Sequence, residues 1–455
     1  MINISILENL NSSLSGELLF DDLHKNIYAT DASVYRKIPL AVAFPKDKKD
    51  IKTLIEFAAK NSITLIPRTA GTSLAGQCVG DGIVVDVSKY FTNMLAFDEA
   101  NKTITVEPGI IRDDLNRFLK PFGLFFGPNT STSNRCMIGG MVGNNSSGST
   151  SIRYGVTRDK VLSVEGILSD GSNAVFSEIT SQEFRSKSLE KTLEGSIYKS
   201  IYSELVSESV QQEIKNEFPK ESIHRRNTGY AVDEFLTSDL FGGNEPTINP
   251  AKFLSGSEGT LVFSTAITIQ LDDLPPTKSI MVCPHFTSVN ESLKATVTAM
   301  SHKLYACELM DKVILDCTKN NREQAQNRFF LQGDPEAVLM LEVSANTIEE
   351  AEKQADDLIE DLKANNFGNH YPKVYGKDIA KVHHLRKAGL GLLANIVGDK
   401  KAVACIEDTA VALEDLPEYI EEFTQIMDKY QQDAVYYAHA GAGELHLRPI
   451  LNLKK

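Results

Sequence analysis

The 455-residue chain predicts an α+β protein of two bodies. Three observations carry that prediction. Short apolar strands alternate with amphipathic helices over residues 47–123 and again from about 279. A polar, helix-rich segment, residues 182–250, interrupts the first series. The dipeptide Pro275-Pro276 separates the two series. The expected organisation is a first domain over 1–270 carrying the 182–250 insertion, a second over 271–430, and a segment 431–455 that reads as the start of a truncated piece. Strand–helix alternation in the second body suits a ferredoxin-like arrangement.

The elements follow in order. Asp47 caps a helix to about Asn61, with Ile51, Leu54, Ile55 and Ala58 on one face. Residues 63–68 form a strand ending in Pro67 and Arg68. It runs into Thr69-Ala70-Gly71-Thr72-Ser73-Leu74-Ala75-Gly76-Gln77. Two glycines and three hydroxyls directly after a strand suit a diphosphate held by backbone N–H groups, against the alternative of a plain strand–turn connection. Residues 82–88 and 103–109 are strands, 111–122 is a helix closed by Gly123, and 162–171 is a strand and turn. In the second body, 279–283, 305–310 and 337–343 are strands. Residues 290–301 and 348–363 are helices, the latter with Ile348, Ala351, Ala355, Leu358 and Leu362 at helical spacing.

Residues 127–159 read GPNTSTSNRCMIGGMVGNNSSGSTSIRYGVTRD, which fits no ordinary amphipathic helix or strand. Glycine lets backbone approach a ligand closely, and Asn, Ser and Thr supply small donors. Together they suit a cradle for a phosphate-bearing cofactor. A flexible linker is the alternative; Met137, Ile138, Met141 and Val142, interleaved with the glycines, argue for packing instead.

Composition excludes several classes. A net charge of −14 argues against nucleic acid or an anionic membrane as partner, so an anionic ligand needs a local cationic cluster. Six cysteines without a CxxC pair give no iron–sulfur or structural zinc site within the chain and suit a reducing cytoplasm. The first twenty residues lack the basic start and apolar run of a signal peptide, and no run of 18 apolar residues suggests a membrane span.

Candidate polar sites lie outside the glycine-rich stretch as well. His224-Arg225-Arg226-Asn227-Thr228-Gly229-Tyr230 is a basic cluster, or a solvated patch. Gly256-Ser257-Glu258-Gly259-Thr260 is a tight turn carrying a carboxylate. A helix over 378–396 holds His383, His384, Arg386 and Lys387, and arginine's planar fork suits a substrate carboxylate. Lys401 is a second cationic candidate. His439 and His446, seven apart with Gly441 and Gly443 between them, suit two strands or a strand and loop meeting at a point, and two imidazoles can ligate a divalent metal such as zinc.

Several of these segments together resemble the flavin-binding signature of the FAD-dependent D-2-hydroxyacid dehydrogenases, the family of D-lactate, glycolate and D-2-hydroxyglutarate dehydrogenases. They are Pro128-Asn129-Thr130, Ser133-Asn134-Arg135, Ile138-Gly139-Gly140-Met141, Asn144-Asn145-Ser146-Ser147-Gly148 and Arg153-Tyr154-Gly155. Residues 28–36 and Glu308-Leu309-Met310-Asp311 resemble its lead-in and cap-domain segments. The resemblance implies a vanillyl-alcohol-oxidase-type flavin fold with a ferredoxin-like cap. It places FAD against the 67–77 loop, Gly143, Asn227, Gly256, Glu258 and Gly259. Thr72 or Ser73 stands where some relatives carry a flavin-linking His, so FAD is expected non-covalent. The resemblance further implies Arg386 as carboxylate clamp and His439 and His446 as metal ligands. It implies oxidation of a small D-2-hydroxy acid by hydride transfer to flavin N5, with electrons leaving to an iron–sulfur or quinone-linked acceptor. It admits a homodimer and a peripheral position at the inner membrane through that acceptor. The spelling His-Ala-Gly-Ala-Gly-Glu-Leu-His-Leu-Arg-Pro is nearest to long members fused to an iron–sulfur domain. The family's later Glu-His-Gly segment, source of a third metal ligand and the base, has no counterpart here. The expectation is therefore a metal half-site and a chain crippled by itself. Two other readings stay open: a flavin module completed by residues outside these 455, and an NADPH-reading nucleotide-sugar reductase on the same fold.

Overall fold

A computed structural model describes residues 4–393 and 396–454. The chain divides into two compact units. Unit 1 comprises Met1–Ser147, Val156–Pro219 and Asn227–Leu274; unit 2 comprises Gly148–Gly155, Lys220–Arg226 and Pro275–Lys455.

Unit 1 holds two main sheets. The first contains β1 (Glu17–Leu19), β2 (Ala41–Phe44), β3 (Leu65–Arg68) and β4 (Ile83–Asp86) in the order β1-β2-β4-β3. β2 and β3 pair parallel with β4, joined by the crossover helix α1 (Lys48–Asn61). The Asp47 side chain accepts the Asp50 N–H, Ser62 closes the helix at φ +54°, and Ile51, Leu54, Ile55 and Ala58 are buried. The second sheet contains β5 (Met94–Asp98), β6 (Thr103–Val106), β7 (Val161–Ile167), β8 (Asn173–Ser177) and β9 (Phe263–Gln270), ordered β5-β6-β9-β7-β8. The 182–250 segment contains the helices Leu193–Leu205 and Glu208–Glu217, and its Tyr198, Phe235 and Phe241 join the core of this sheet.

The glycine-rich stretch departs from expectation. It contains a seven-residue helix, α2 (Ile138–Asn144), with Ile138, Met141 and Val142 buried. Two short helices, Ser151–Tyr154 and Thr157–Lys160, follow. The apolar residues thought to exclude a linker are one face of this helix, and glycine's poor helix propensity, about 1 kcal/mol below alanine, hid it.

Unit 2 is built on β10 (Lys278–Val282), α3 (Val289–Ala299), β11 (Leu304–Asp311), β12 (Ala337–Ala345), α4 (Ile348–Ala364) and β13 (Lys373–Tyr375). The strands lie in the order β13-β10-β12-β11, the 4-1-3-2 order of the split βαβ motif. After α5 (Lys377–Leu393) come β14 (Ile406–Ala410), α6 (Leu416–Lys429), β15 (Ala434–Ala438) and β16 (Glu444–Leu451). β15 pairs with β11, and β16 pairs with β15 and β14, so residues near the chain end are interior members of the sheet. β12 is buried along nearly its whole length because both faces are covered. One face buries Ile280, Leu309, Leu339 and Leu341 with Leu358 and Leu362 of α4 and Leu416 of α6. The other buries Met310, Met340 and Tyr437 with Val382 and Leu385 of α5. A fully buried Leu or Ile stabilises by about 1.5–3 kcal/mol, so this double cover dominates the unit's stability.

Candidate functional site

In unit 1, β3 delivers Pro67 and Arg68 to the mouth of the 69–77 loop. Gly71 (φ +63°) and Gly76 (φ +81°) adopt backbone that glycine reaches at little cost. Residues 28–36 back this loop. Ala32 N–H donates to the Gly71 carbonyl at 3.2 Å. The Arg68 guanidinium lies 4.9 Å over the Tyr28 ring and donates to the Thr30 carbonyl at 2.9 Å. The Tyr28 hydroxyl donates to buried Asp86 at 2.6 Å. A Cβ on Gly76 would stand 2.8 Å from the Tyr35 ring. The Ser73 hydroxyl, by contrast, is buried without a hydrogen-bond partner. Left-handed glycines and an orphaned hydroxyl directly after a strand fit the diphosphate of FAD.

The other predicted loops converge on the same place. Gln77 Nε2 donates to Asn144 Oδ1 and to Glu258 Oε1, each at 3.3 Å. Glu258 N–H donates to the Gly143 carbonyl at 2.8 Å, and Gly256 N–H to the Val142 carbonyl at 2.9 Å. Asn145, at φ +49°, donates from Nδ2 to Asn227 Oδ1 at 2.9 Å. Its Oδ1 accepts the Arg158 N–H at 2.8 Å. Buried Arg158 donates from Nη2 to the Ser255 carbonyl at 2.8 Å, fastening the 255–259 loop. Arg158 is a site-organising residue that the sequence reading missed. Glu258 sits at φ +54°, a conformation costing a non-glycine residue about 1–3 kcal/mol, as functional loops often do.

The structure also redistributes roles. A Cβ on Gly139 would stand 2.4 Å from Pro108 Cβ, and one on Gly140 2.5 Å from Thr69 Oγ1. At both positions an added atom would meet protein first, Pro108 beside Gly139 and Thr69 beside Gly140. Ile138 lies wholly in the apolar core. The Ser133 hydroxyl donates to Asp113, the Pro128 carbonyl accepts from Arg112, and exposed Asn134 accepts from Arg135. Gly148, Tyr154 and Gly155 belong to the segment counted with unit 2, where Tyr154 packs edge-on to Tyr305 at 5.9 Å.

In unit 2 a polar patch interrupts the apolar face under α5. Antiparallel register sets Tyr437 of β15 opposite His446 of β16, and Arg448 two residues on shares their face. The Arg386 and Arg448 guanidinium carbons lie 5.9 and 5.5 Å from the Tyr437 ring centroid. Glu308 on β11, 1% exposed, contacts Arg386 Nη2 with Oε2, and its Oε1 lies 2.9 Å from His439 Nδ1. Burial opposes its ionisation, but Arg386 and then His439 hold its carboxyl down at about 2. Burial pushes His439 down to about 4. Arg225 contacts Glu444, both buried. Burial and neighbouring Asp408 push the Glu444 carboxyl up to about 8 despite Arg225.

His439 and His446 come together, ring centroids 5.4 Å apart. Residues not singled out from sequence join them. Glu407 Oε2 and Asp408 Oδ1 each lie 2.9 Å from His446 Nδ1, and ligand atoms of Glu407, Asp408 and His446 fall within 4.8 Å of one another. His446 Nδ1 thus faces both carboxylates, and Glu407 Oε1 is in turn held 2.6 Å from Arg448 Nε. Burial would lower the His446 pKa, but Asp408 and Glu407 outweigh it and raise it to about 9. Among the described residues the group that could hold a metal ion is Glu407, Asp408 and His446, without His439. Asp408, at φ +53°, is also left-handed. Lys401 is exposed, its Nζ donating to the Ile396 carbonyl, and does not join the cluster. His383 contacts Glu342 at 2.9 Å.

Comparison with known proteins follows this division. A family described as FAD binding domain matches residues 39–176, and one described as FAD linked oxidases, C-terminal domain, matches 274–455. The chain thus carries a FAD binding domain and a C-terminal domain of the FAD linked oxidases. The chain is 30% identical to D-2-hydroxyglutarate dehydrogenase of Pseudomonas putida over 98% of its own length and 44% of that protein. It is 29% identical to the protein of the same name from Escherichia coli, over 93% and 42%. It is 24% identical to glycolate oxidase subunit GlcD of Bacillus subtilis, over 98% and 79%. The chain thus spans less than half the length of the D-2-hydroxyglutarate dehydrogenases it matches. Among solved structures, p-cresol methylhydroxylase with substrate bound aligns at TM-score 0.67 with 11% identity, covering 99% of this chain and 83% of its own. Alkyldihydroxyacetonephosphate synthase aligns at 0.66 with 14% identity, covering 98% and 80%. The fold is accordingly the α+β vanillyl-alcohol-oxidase type with its FAD-linked-oxidase C-terminal domain. No helix among the described residues is long and apolar enough to cross a membrane.

Proposed function

We propose that the chain holds FAD non-covalently in unit 1 and binds a small D-2-hydroxy acid through unit 2, oxidising it to the 2-keto acid. The observation that carries this reading is Arg386. It is a largely buried arginine whose Nε has no hydrogen-bond partner, ion-paired through Nη2 with Glu308, which also contacts His439. A substrate carboxylate satisfies that donor edge with a charge-assisted bond. When bound, FAD supplies the two-electron acceptor for the substrate's Cα–H bond. The residues of unit 1 that hold it are the 69–77 loop, α2 and the 255–259 turn. His446, Glu407 and Asp408, with His439 alongside, fit a divalent cation of the zinc class, which would polarise the substrate oxygens. In this reading unit 2 is the substrate domain, and an iron–sulfur or quinone-linked acceptor reoxidises the cofactor. A second reading, a flavin module whose chemistry is completed by residues outside these 455, is motivated by the short span of the match.

The test is a panel of D- and L-2-hydroxy acids and NADPH with an artificial dye acceptor, run on this chain and on a longer form. Turnover with a D-2-hydroxy acid by this chain supports the first reading. Turnover by the longer form alone supports the second, and NADPH-driven reduction overturns both.

A further inference from the structure

Glu308 is unusual before any role is assigned to it. It lies in a central strand between buried Cys307 and Leu309 and is 1% exposed. An isolated carboxylate there would cost several kcal/mol. Each oxygen has one cationic or donor partner: Oε2 faces Arg386, and Oε1 lies 2.9 Å from His439 Nδ1. An ionised carboxylate only accepts hydrogen bonds, so His439 Nδ1 must carry the hydrogen. In a neutral imidazole that leaves Nε2 as the ring's lone-pair atom. Arg386 Nε and Nη2 have no aligned hydrogen bond, so the ion pair from Nη2 to Glu308 Oε2 is the polar contact that places this guanidinium.

We propose that Glu308 is a positioning residue with two loads: it orients Arg386 toward a substrate carboxylate and fixes His439 as the Nδ1–H tautomer, with Nε2 free to accept a proton or a metal. The Arg386 half rests on the hydroxy-acid reading above; the His439 half does not. Orientation of an imidazole by a buried carboxylate is worth about 10–100-fold in activity or metal affinity where it has been measured.

The replacement Glu308→Gln separates the loads. Its single carbonyl oxygen is claimed by Arg386, so its NH₂ must face His439 Nδ1 and donate to it. The tautomer should then invert, placing the hydrogen on Nε2. Glu308→Asp keeps two acceptor oxygens but withdraws them by one methylene, so the tautomer should persist while Arg386 is displaced.

The experiment uses FAD-loaded, chelator-treated protein. Ring ¹⁵N–¹H correlation spectra of His439, assigned with a His439→Gln variant, are recorded for wild type, Glu308→Gln and Glu308→Asp, with flavin content as the folding control. The expected wild-type pattern is protonated Nδ1 and bare Nε2, inverted in Glu308→Gln and retained in Glu308→Asp. Steady-state kinetics should show about 10–100-fold loss in kcat with little change in KM for Glu308→Gln. Glu308→Asp should show the reverse split. A wild-type His439 bearing its hydrogen on Nε2 overturns the proposal by itself, with no variant needed. So does a folded Glu308→Gln that keeps both the wild-type tautomer and kcat. Wild-type protein that oxidises no hydroxy acid but shows the predicted tautomers would refute the functional reading and leave the His439 assignment standing.

Discussion

Replacing Arg386 in two ways separates its charge from its shape. Arg386 and Glu308 are 13% and 1% exposed at the side chain, so Arg386→Met leaves a buried carboxylate with His439 as its remaining close partner. Removing one partner of a buried pair costs about 3–5 kcal/mol. In a unit of this size each kcal/mol moves the thermal midpoint about 2–4 °C, so a fall of about 6–20 °C is expected for unit 2. Arg386→Lys keeps the charge and should lower the midpoint far less. It replaces a planar fork by a point donor, so it should weaken a carboxylate substrate by about 1.5–3 kcal/mol, or about 10–150-fold in KM. The assay is calorimetry of both variants, with flavin content and KM measured on the same preparations. Arg386→Met as stable as wild type would show that Glu308 does not depend on this guanidinium. Arg386→Lys with an unaltered KM would remove Arg386 from the substrate.

Three further outcomes are expected. Gly140→Val drives a Cβ to 2.5 Å from Thr69 Oγ1 and should lower flavin occupancy by displacing the 69–77 loop, whereas Gly143→Ala meets only contacts at 3.8 and 3.9 Å and should fold normally; equal flavin retention in both would dissociate that loop from the cofactor. His285 is buried and neutral, its Nδ1 donating to the Cys283 carbonyl at 2.8 Å and its Nε2 accepting the Gln332 N–H at 3.0 Å. Burial holds its pKa below the ordinary 6.5, so the stability it contributes is present above that value and lost as pH falls through it. Denaturant midpoints between pH 7.5 and 5 should fall in wild type and fall less in His285→Gln. Glu407→Gln and Asp408→Asn should each lower the zinc bound after dialysis, and wild-type levels in the double variant would show that these carboxylates are not ligands.

What the sequence made legible depended on how local the cause was. The 348–363 periodicity predicts Ile348–Ala364 because a helix writes its buried face into one stretch of chain. Asp47 and Gly123 marked helix ends for equally local reasons. Arg386, His439 and His446 stood out by residue type. Their partners did not: Glu308 meets His439 across 131 residues, and Arg158 meets Ser255 across 97. One signal was available for Glu308, a charge inside the apolar run LYACELM at the alternating position shared by Met310, but alternation alone does not say which cation arrives to neutralise it. Glu407 and Asp408 were invisible as ligands because strand pairing, not spacing, brings them to His446.

The account's central claim is that FAD held by this chain accepts electrons from a D-2-hydroxy acid. Anaerobic mixing of the flavin-loaded 455-residue protein with D-2-hydroxyglutarate, D-lactate, their L-isomers and NADPH, followed by flavin absorbance, tests it directly. Bleaching by at least one D-isomer, faster than by its L-isomer or NADPH and lost in Arg386→Met, is predicted. A protein that takes up no FAD, or whose flavin is bleached by NADPH and by no hydroxy acid, would contradict it.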